Sequence, residues 1–273
     1  MLNATLRLIE AKRGADRTRA LAKPGKALER KLEAIFKAQG KAVAASLTRF
    51  RSRFSEAAFS QDDVERLFSD AELETLSVFV AALRQAAETG LTLGAQALLD
   101  ALGYDLIWST DNPAAVAYIA QHGAEMVTRI NEATRDNMRV LLDRAMTDGL
   151  TYNEVAAALQ RQFAGFYDPN SVWDWQALRP QGHIDSRSHL IAVTELGNAY
   201  EAGNYQAAET LEGKGLKVVK MWSTLGDDRV SDGCLENEAA GWIGLKDEFP
   251  SGDQHPLRFP GCRCTDLYDV EVA

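Results

Sequence analysis

The sequence predicts a mostly α-helical protein that ends in a small α+β module. Three observations lead there. Apolar residues recur at helical spacing through the first 165 residues, a single β-like run follows at 216–222, and all three cysteines fall after that run in a loop-rich tail. The chain is expected to divide into a helical N-terminal region with a basic arm (1–110), a second helical part (111–213) and a cysteine-containing α+β module (214–273).

Leu28, Leu32, Ile35, Val43, Leu47, Phe50 and Phe54 form one apolar stripe, and Pro24-Gly25 just before it marks where this helix can begin. A second helix is expected from about Gln61 to Glu88, with Val64, Leu67, Phe68, Leu73, Leu76 and Val80 inside. Gly90, Gly94, Gly103 and Pro113 suggest short helices or loops over 89–112. Asp111-Asn112-Pro113 is a helix start, a capping residue followed by proline in the first turn. From there Val116, Ile119, Met126, Val127, Ile130, Met138, Leu141 and Leu142 mark a helix ending at Asp148-Gly149, about 50 Å long at 1.5 Å per residue. Thr151 and Glu154 form a capping box for the next helix, whose inner face is Val155, Leu159 and Phe163. The Gly-, Pro- and Trp-rich stretch 164–183 reads as an ordered loop. A helix from about Asp185 to Glu212 then leads to Leu216–Trp222, where Trp222 is expected to be buried at the junction of strand and tail.

Composition narrows the class. The chain is 46% hydrophobic and 25% charged, values of a globular protein rather than a disordered one. No apolar run approaches the ~18 residues of a membrane span, the first residues lack a signal-peptide pattern, and an odd cysteine count suits a reducing compartment. The net charge of −9 hides an asymmetry. Residues 1–53 hold 14 Lys/Arg against 4 Asp/Glu, and the remaining residues hold 16 against 35. A basic arm carrying Lys12, Arg13, Arg17, Arg19, Lys23, Lys26, Arg30 and Lys31 suggests an anionic partner, nucleic acid or an acidic protein surface. Simple solvation of a helix face is the bland alternative.

Cys234, Cys262 and Cys264 lie within 31 residues, and His255 lies between them. Three thiols and an imidazole suffice for tetrahedral zinc, which would staple a module with few large apolar residues. Other readings stay open: a disulfide from Cys234 to Cys262 or Cys264, small buried thiols without metal, or Asp232 as the fourth ligand. Asp227, Asp228 and His255 could be imagined as a hydrolytic site. However, the other histidines, His122, His183 and His189, are scattered, and an acidic pair beside a glycine is more often a turn. No nucleophile elbow, phosphate-cradling loop, His-Glu-x-x-His helix or dinucleotide fingerprint is present, so no enzymatic activity is expected.

The C-terminal half resembles the phage Mu F-like head morphogenesis family, minor head proteins of tailed phages and prophages. The matching residues run in order. They are the helix entered by Asn112-Pro113, the Asp148–Thr151 turn with Glu154 and Leu159, and Arg187 through Ile191–Glu195, with Val193 where the family has arginine. Lys220–Thr224 then leads to Asp227-Asp228-Arg229-Val230. Cys234, Glu238 and Gly241 follow, then Asp247–Gly252, and Phe259-Pro260-Gly261-Cys262-Arg263-Cys264-Thr265 closes the motif. The resemblance spans about 112–268. It marks Glu195, Trp222, Asp227, Asp228, Arg229 and Arg263 as motif residues. Many relatives place cysteine where this chain has Ser231 and histidine where it has Phe259.

The resemblance implies a non-enzymatic virion protein, present in few copies inside the capsid near the portal vertex. It implies assembly in the host cytoplasm and a role in procapsid assembly and genome packaging or delivery. The implied partners are the portal protein, with packaged DNA, scaffold or major capsid protein as others, and no membrane. A metal-dependent nucleic-acid-processing enzyme carried in the head is the alternative, and a purely DNA-binding packaging factor is a third. For the basic arm the portal is favoured over DNA, because the apolar stripe on the same helix needs a protein surface to cover it.

Overall fold

The structure, a computed structural model, describes residues 2–48, 61–148, 150–163 and 187–271. Within these, the side chains of 2–13, 61, 122–124, 137, 144–146, 152 and 160–162 are not described. Six helices and three strands follow in chain order among the described residues: α1 (Leu2–Leu47), α2 (Gln61–Leu102), α3 (Pro113–Thr147), α4 (Tyr152–Phe163), α5 (Arg187–Gly213), β1 (Lys217–Ser223), α6 (Asp232–Ala239), β2 (Ile243–Gly244) and β3 (Thr265–Glu271). The strands form one antiparallel sheet in the order β2-β1-β3. The fold is therefore mostly helical with a small α+β module, as the periodicity implies.

Helix α2 is the spine, and three successive core clusters share it. At one end Val64, Leu67, Phe68 and Ala71 meet Val43 and Leu47 of α1, Met138 and Leu142 of α3, and Val155, Leu159 and Phe163 of α4. In the middle Phe79, Ala82, Leu83 and Ala86 meet Leu28, Leu32, Ile35 and Phe36 of α1, Val127 of α3, and Ala192 and Leu196 of α5. At the far end Leu91, Ala95, Leu98 and Leu99 meet Ala199, Ala202 and Leu211 of α5, Val218 of β1 and Tyr268 of β3. The core thus runs across both 110/111 and 213/214 without a break.

The expected helix starts hold where capping chemistry is local. Asn112 Oδ1 accepts from the Ala114 amide at 2.9 Å, and Thr151 and Glu154 make the reciprocal capping bonds ahead of α4. Elsewhere tertiary packing overrides the local signal. Helix α1 does not begin at Pro24-Gly25 but runs through Pro24. An internal proline costs about 3 kcal/mol, and α1 is held on both sides of it, by the Arg17–Glu201 ion pair before and the buried Leu28 and Leu32 after. Nor is 89–102 broken, because α2 continues to Leu102. Over residues 71–82 its inward face is Ala71, Thr75, Phe79 and Ala82 rather than the expected Leu73 and Leu76, which are 77% and 38% exposed. Among the α3 residues expected inside, Val116 is 53% exposed. Phe50, Phe54 and the loop expected at 164–183 lie outside the described residues. The tail, read as loop-rich, also contains α6 and β3.

Gly90 and Gly94 are in α2 for a reason other than breaking it. A Cβ at Gly90 would stand 2.5 Å from Ala199 Cβ, one at Gly94 would overlap the Tyr200 carbonyl oxygen, and one at Gly203 would overlap the Leu91 carbonyl oxygen. Three missing side chains let α2 and α5 cross with their backbones in contact. Gly94→Ala should therefore cost at least about 3 kcal/mol, since neither backbone can yield without separating the helices. Gly213→Ala, where an added Cβ meets nothing within 4 Å, should stay within about 1 kcal/mol of the parent. Urea unfolding of both variants checks the contrast, and equal losses would show that the crossing is not tight.

Candidate metal centre

The C-terminal module is built on β1. It pairs with β3 in a register that sets Trp222 opposite Asp266 and Ser223 opposite Thr265. This brings Cys264, one residue before β3, into the buried cluster around Trp222. Cys262 arrives there on a turn closed by its amide donating to the Phe259 carbonyl at 3.1 Å. Pro260 and Gly261 hold the turn's two central positions, and Gly261 has φ +79°, the signature of a type II turn. The Gly261 amide donates to buried Thr194 Oγ1 at 3.0 Å, which fixes the turn against α5. Cys234 comes from the first turn of α6, whose N-cap Ser231 accepts from the Cys234 amide at 3.4 Å.

The three Sγ atoms lie within 4.8 Å of one another, all buried, in a cluster with Trp222 and Phe249 and flanked by Val230, Ile243, Leu257 and Phe259. The Trp222 and Phe249 rings meet edge to face at 5.1 Å. Cys262 and Cys264 donate to Cys234, which draws its thiol well below the ordinary range and pushes theirs up. Cys234 also sits in the first turn of a helix, where the backbone amides favour negative charge. Tetrahedral zinc with Zn–S near 2.3 Å would set the sulfurs about 3.8 Å apart. The cluster fits three thiolates of such a site with little movement, and a metal there would tie α6 to the turn ahead of β3.

His255 is not brought to the thiols. Its Nδ1 lies 2.6 Å from the Pro256 carbonyl, its ring packs on Tyr205 at 5.8 Å, and burial lowers its pKa. Among the described residues the only group of three or more possible ligands gathered together is the cysteine trio, so neither His255 nor Asp232 completes it. The Ser231 hydroxyl hydrogen-bonds the Cys234 thiol, and the Arg258 guanidinium adds positive charge nearby.

The motif residues act as braces. Asp227 accepts the Arg229 amide at 3.2 Å within a turn, and both its oxygens accept from Arg263 at 2.6 and 2.7 Å, which holds its carboxyl below the usual range. Asp228 and Arg229 are exposed, and Trp222 is fully buried. Glu195 is buried on α5, and its charge adds to burial in raising the pKa of Tyr118. Glu238 accepts from both the amide and hydroxyl of Thr224 at 2.8 Å. His189 pairs with Glu29 at 3.2 Å, and the side chains of His122 and His183 lie outside the described residues.

Sequence reasoning missed a buried ionic layer next to the thiols. Glu201 of α5, fully buried, accepts from Thr265 Oγ1 at 2.8 Å and from the Asp266 amide at 3.3 Å, and pairs with Arg17 of α1 at 2.9 Å. Gly197 leaves the space that the Arg17 guanidinium fills. Asp266 is itself buried, which raises its pKa, and burial brings Lys220 down to about 8, where its ammonium donates to the Gln254 carbonyl at 2.6 Å. These residues carry no spacing that announces them. The one available signal was Lys220, a charge set between Val218, Val219, Met221 and Trp222 in β1.

The helical body thus carries an α+β module closed around three thiols. The family model described as Phage Mu protein F like protein matches residues 136–267, from the middle of α3 into β3. This segment, just under half of the chain, is similar to the phage Mu F-like family, and the match supports a phage head-morphogenesis-related protein. Comparison with curated proteins and with solved structures gives no match. No helix among the described residues is long and apolar enough to cross a membrane.

Two variants test this geometry. Trp222→Ala should cost about 3–5 kcal/mol in urea unfolding, the loss of a large ring from a closed core, and a cost below about 1 kcal/mol would contradict its burial. Arg17→Ala should cost about 3–5 kcal/mol by leaving Glu201 buried without its cation, and adding Glu201→Gln should recover part of that loss.

Proposed function

We propose that this protein is a minor head component of a tailed phage that acts at the portal vertex, in procapsid assembly and in packaging or delivery of the genome. The match to the phage Mu F-like family over residues 136–267 carries this reading. Exposed apolar side chains add to it: Leu73 on α2, Ile107 and Val116 around the start of α3, and Leu235 and Trp242 on the module offer contact points for other head proteins. Its place in this reading is inside the virion. The role is structural, since the thiols face inward among aromatic rings, as in a staple. Zinc held by Cys234, Cys262 and Cys264 would supply that staple. Water would take the fourth position of such a site.

Co-expression with the portal protein of the same phage should yield a complex of defined stoichiometry. Failure to bind the portal, with binding to scaffold or major capsid protein instead, would move the protein away from the vertex. Native mass spectrometry should find about one zinc per chain, and chelation should remove it and lower the melting temperature. A metal-free mass with an unchanged melting temperature after chelation would leave the thiols as packing residues.

A further inference from the structure

The apolar stripe of α1 is already covered. Leu28, Leu32, Ile35, Val43 and Leu47 are each at most 5% exposed, packed on α2, α3, α4 and α5 of the same chain. The expectation that this stripe needs an external protein surface therefore falls away. What α1 presents to solvent is its opposite face, and that face is basic.

Arg19, Lys23, Lys26, Arg30, Lys37 and Lys41 are all exposed. At 100° per residue they fall within an arc of about 60°, so they form one straight row along the helix. From Arg19 to Lys41 the row is about 33 Å long at 1.5 Å per residue. The exposed positions beside them are largely alanines, Ala22, Ala27, Ala34 and Ala38, with the half-buried Glu33 as the one carboxylate at the edge of the row between Arg30 and Lys37. Arg19 pairs with Asp16 at 3.2 Å on the surface, while Lys23, Lys26, Arg30, Lys37 and Lys41 have no ion-pair partner among the described residues. Two members of the expected basic set are used otherwise: Arg17 is buried against Glu201, and Lys31 donates to Gln85 at 2.5 Å. The side chains of Lys12 and Arg13 are not described.

We infer that this outer face of α1 binds the phosphate backbone of double-stranded DNA, without reading its sequence. The row is as long as about one turn of duplex, and its members are flexible point charges with no apolar anchor among them. Such a face gains from phosphate neutralisation and counterion release, and gains little from an ordinary protein surface, which would require apolar burial that α1 no longer has to offer. The acidic remainder of the chain repels DNA, but beyond about 10 Å at 0.1 M salt that repulsion is screened. It therefore acts to limit the contact to this one face. The inference rests on the helix face and not on the portal assignment.

The test uses the full chain and a mixed-sequence 30-base-pair duplex, titrated at several salt concentrations. A log–log slope of about −5 is expected, six contacts at about −0.9 each, with the same affinity for a duplex of scrambled sequence. The triple variant Lys23→Gln/Lys26→Gln/Arg30→Gln should bring the slope to about −3 and weaken binding at least tenfold at 0.1 M salt. Its circular dichroism and melting temperature should match the parent, since all three side chains are exposed. If the triple variant misfolds, Lys23→Gln and Arg30→Gln singly should each remove about 0.9 from the slope. Parent-like binding by the variants, a slope near zero, or tighter binding to poly-L-glutamate than to duplex would overturn the proposal, the last in favour of an acidic protein partner.

Discussion

The contact on which the rest depends is the crossing of α2 and α5. At Gly90, Gly94 and Gly203 there is no side chain between the two helices, and carbonyl groups occupy the space a Cβ would need. This contact is close because it must seat two layers at once. Below it, the end of α2 and the end of α5 cover Val218 of β1 and Tyr268 of β3. Above it, the start of α5 closes over Phe36 and Phe79. Were the helices farther apart, the sheet and the α1 layer could not both rest on α5.

Once α5 is seated, its polar residues organise the module. Thr194 takes the amide of Gly261, and Glu201 takes Thr265 and the Asp266 amide, so both ends of the Cys-Arg-Cys segment are pinned to one helix. A buried carboxylate is costly, and the ion pair with Arg17 of α1 offsets that cost. The N-terminal helix is thereby part of the module's stability. The buried charge of the family-matched segment is balanced by a residue outside 136–267.

The thiol cluster follows the same logic of convergence. Cys234 arrives on α6, and Cys262 and Cys264 on a proline-glycine turn. The meeting point, in the buried cluster around Trp222, is set by β1 pairing with β3. The turn residues and N-cap Ser231 are local devices, but the approach of three sulfurs is a product of the sheet. Arg263, between two of the cysteines, points the other way and braces the Asp227 turn. The alternation of inward and outward residues in Cys262-Arg263-Cys264 therefore serves two contacts.

By itself the sequence determined the features that depend on neighbours in the chain. The helical periods of α3, α4 and α5, the Asn112 and Thr151 caps, the strand ending in Trp222, and the segregation of cysteines into the tail were legible because capping and periodicity are local. The family motif was legible for the same reason. Tertiary structure alone decided the rest. Gly90 and Gly94 read as breakers, because a glycine's cost to a helix is local while its value, the room it leaves for α5, lies a hundred residues away. Pro24 read as a boundary for the same reason. His255 stood near the cysteines in sequence, yet the fold turns it to Tyr205 and Pro256. Leu28 to Leu47 were correctly read as one apolar face, but only the packing of four other helices shows that the chain covers this face itself. That leaves the basic side of α1 as the surface it presents.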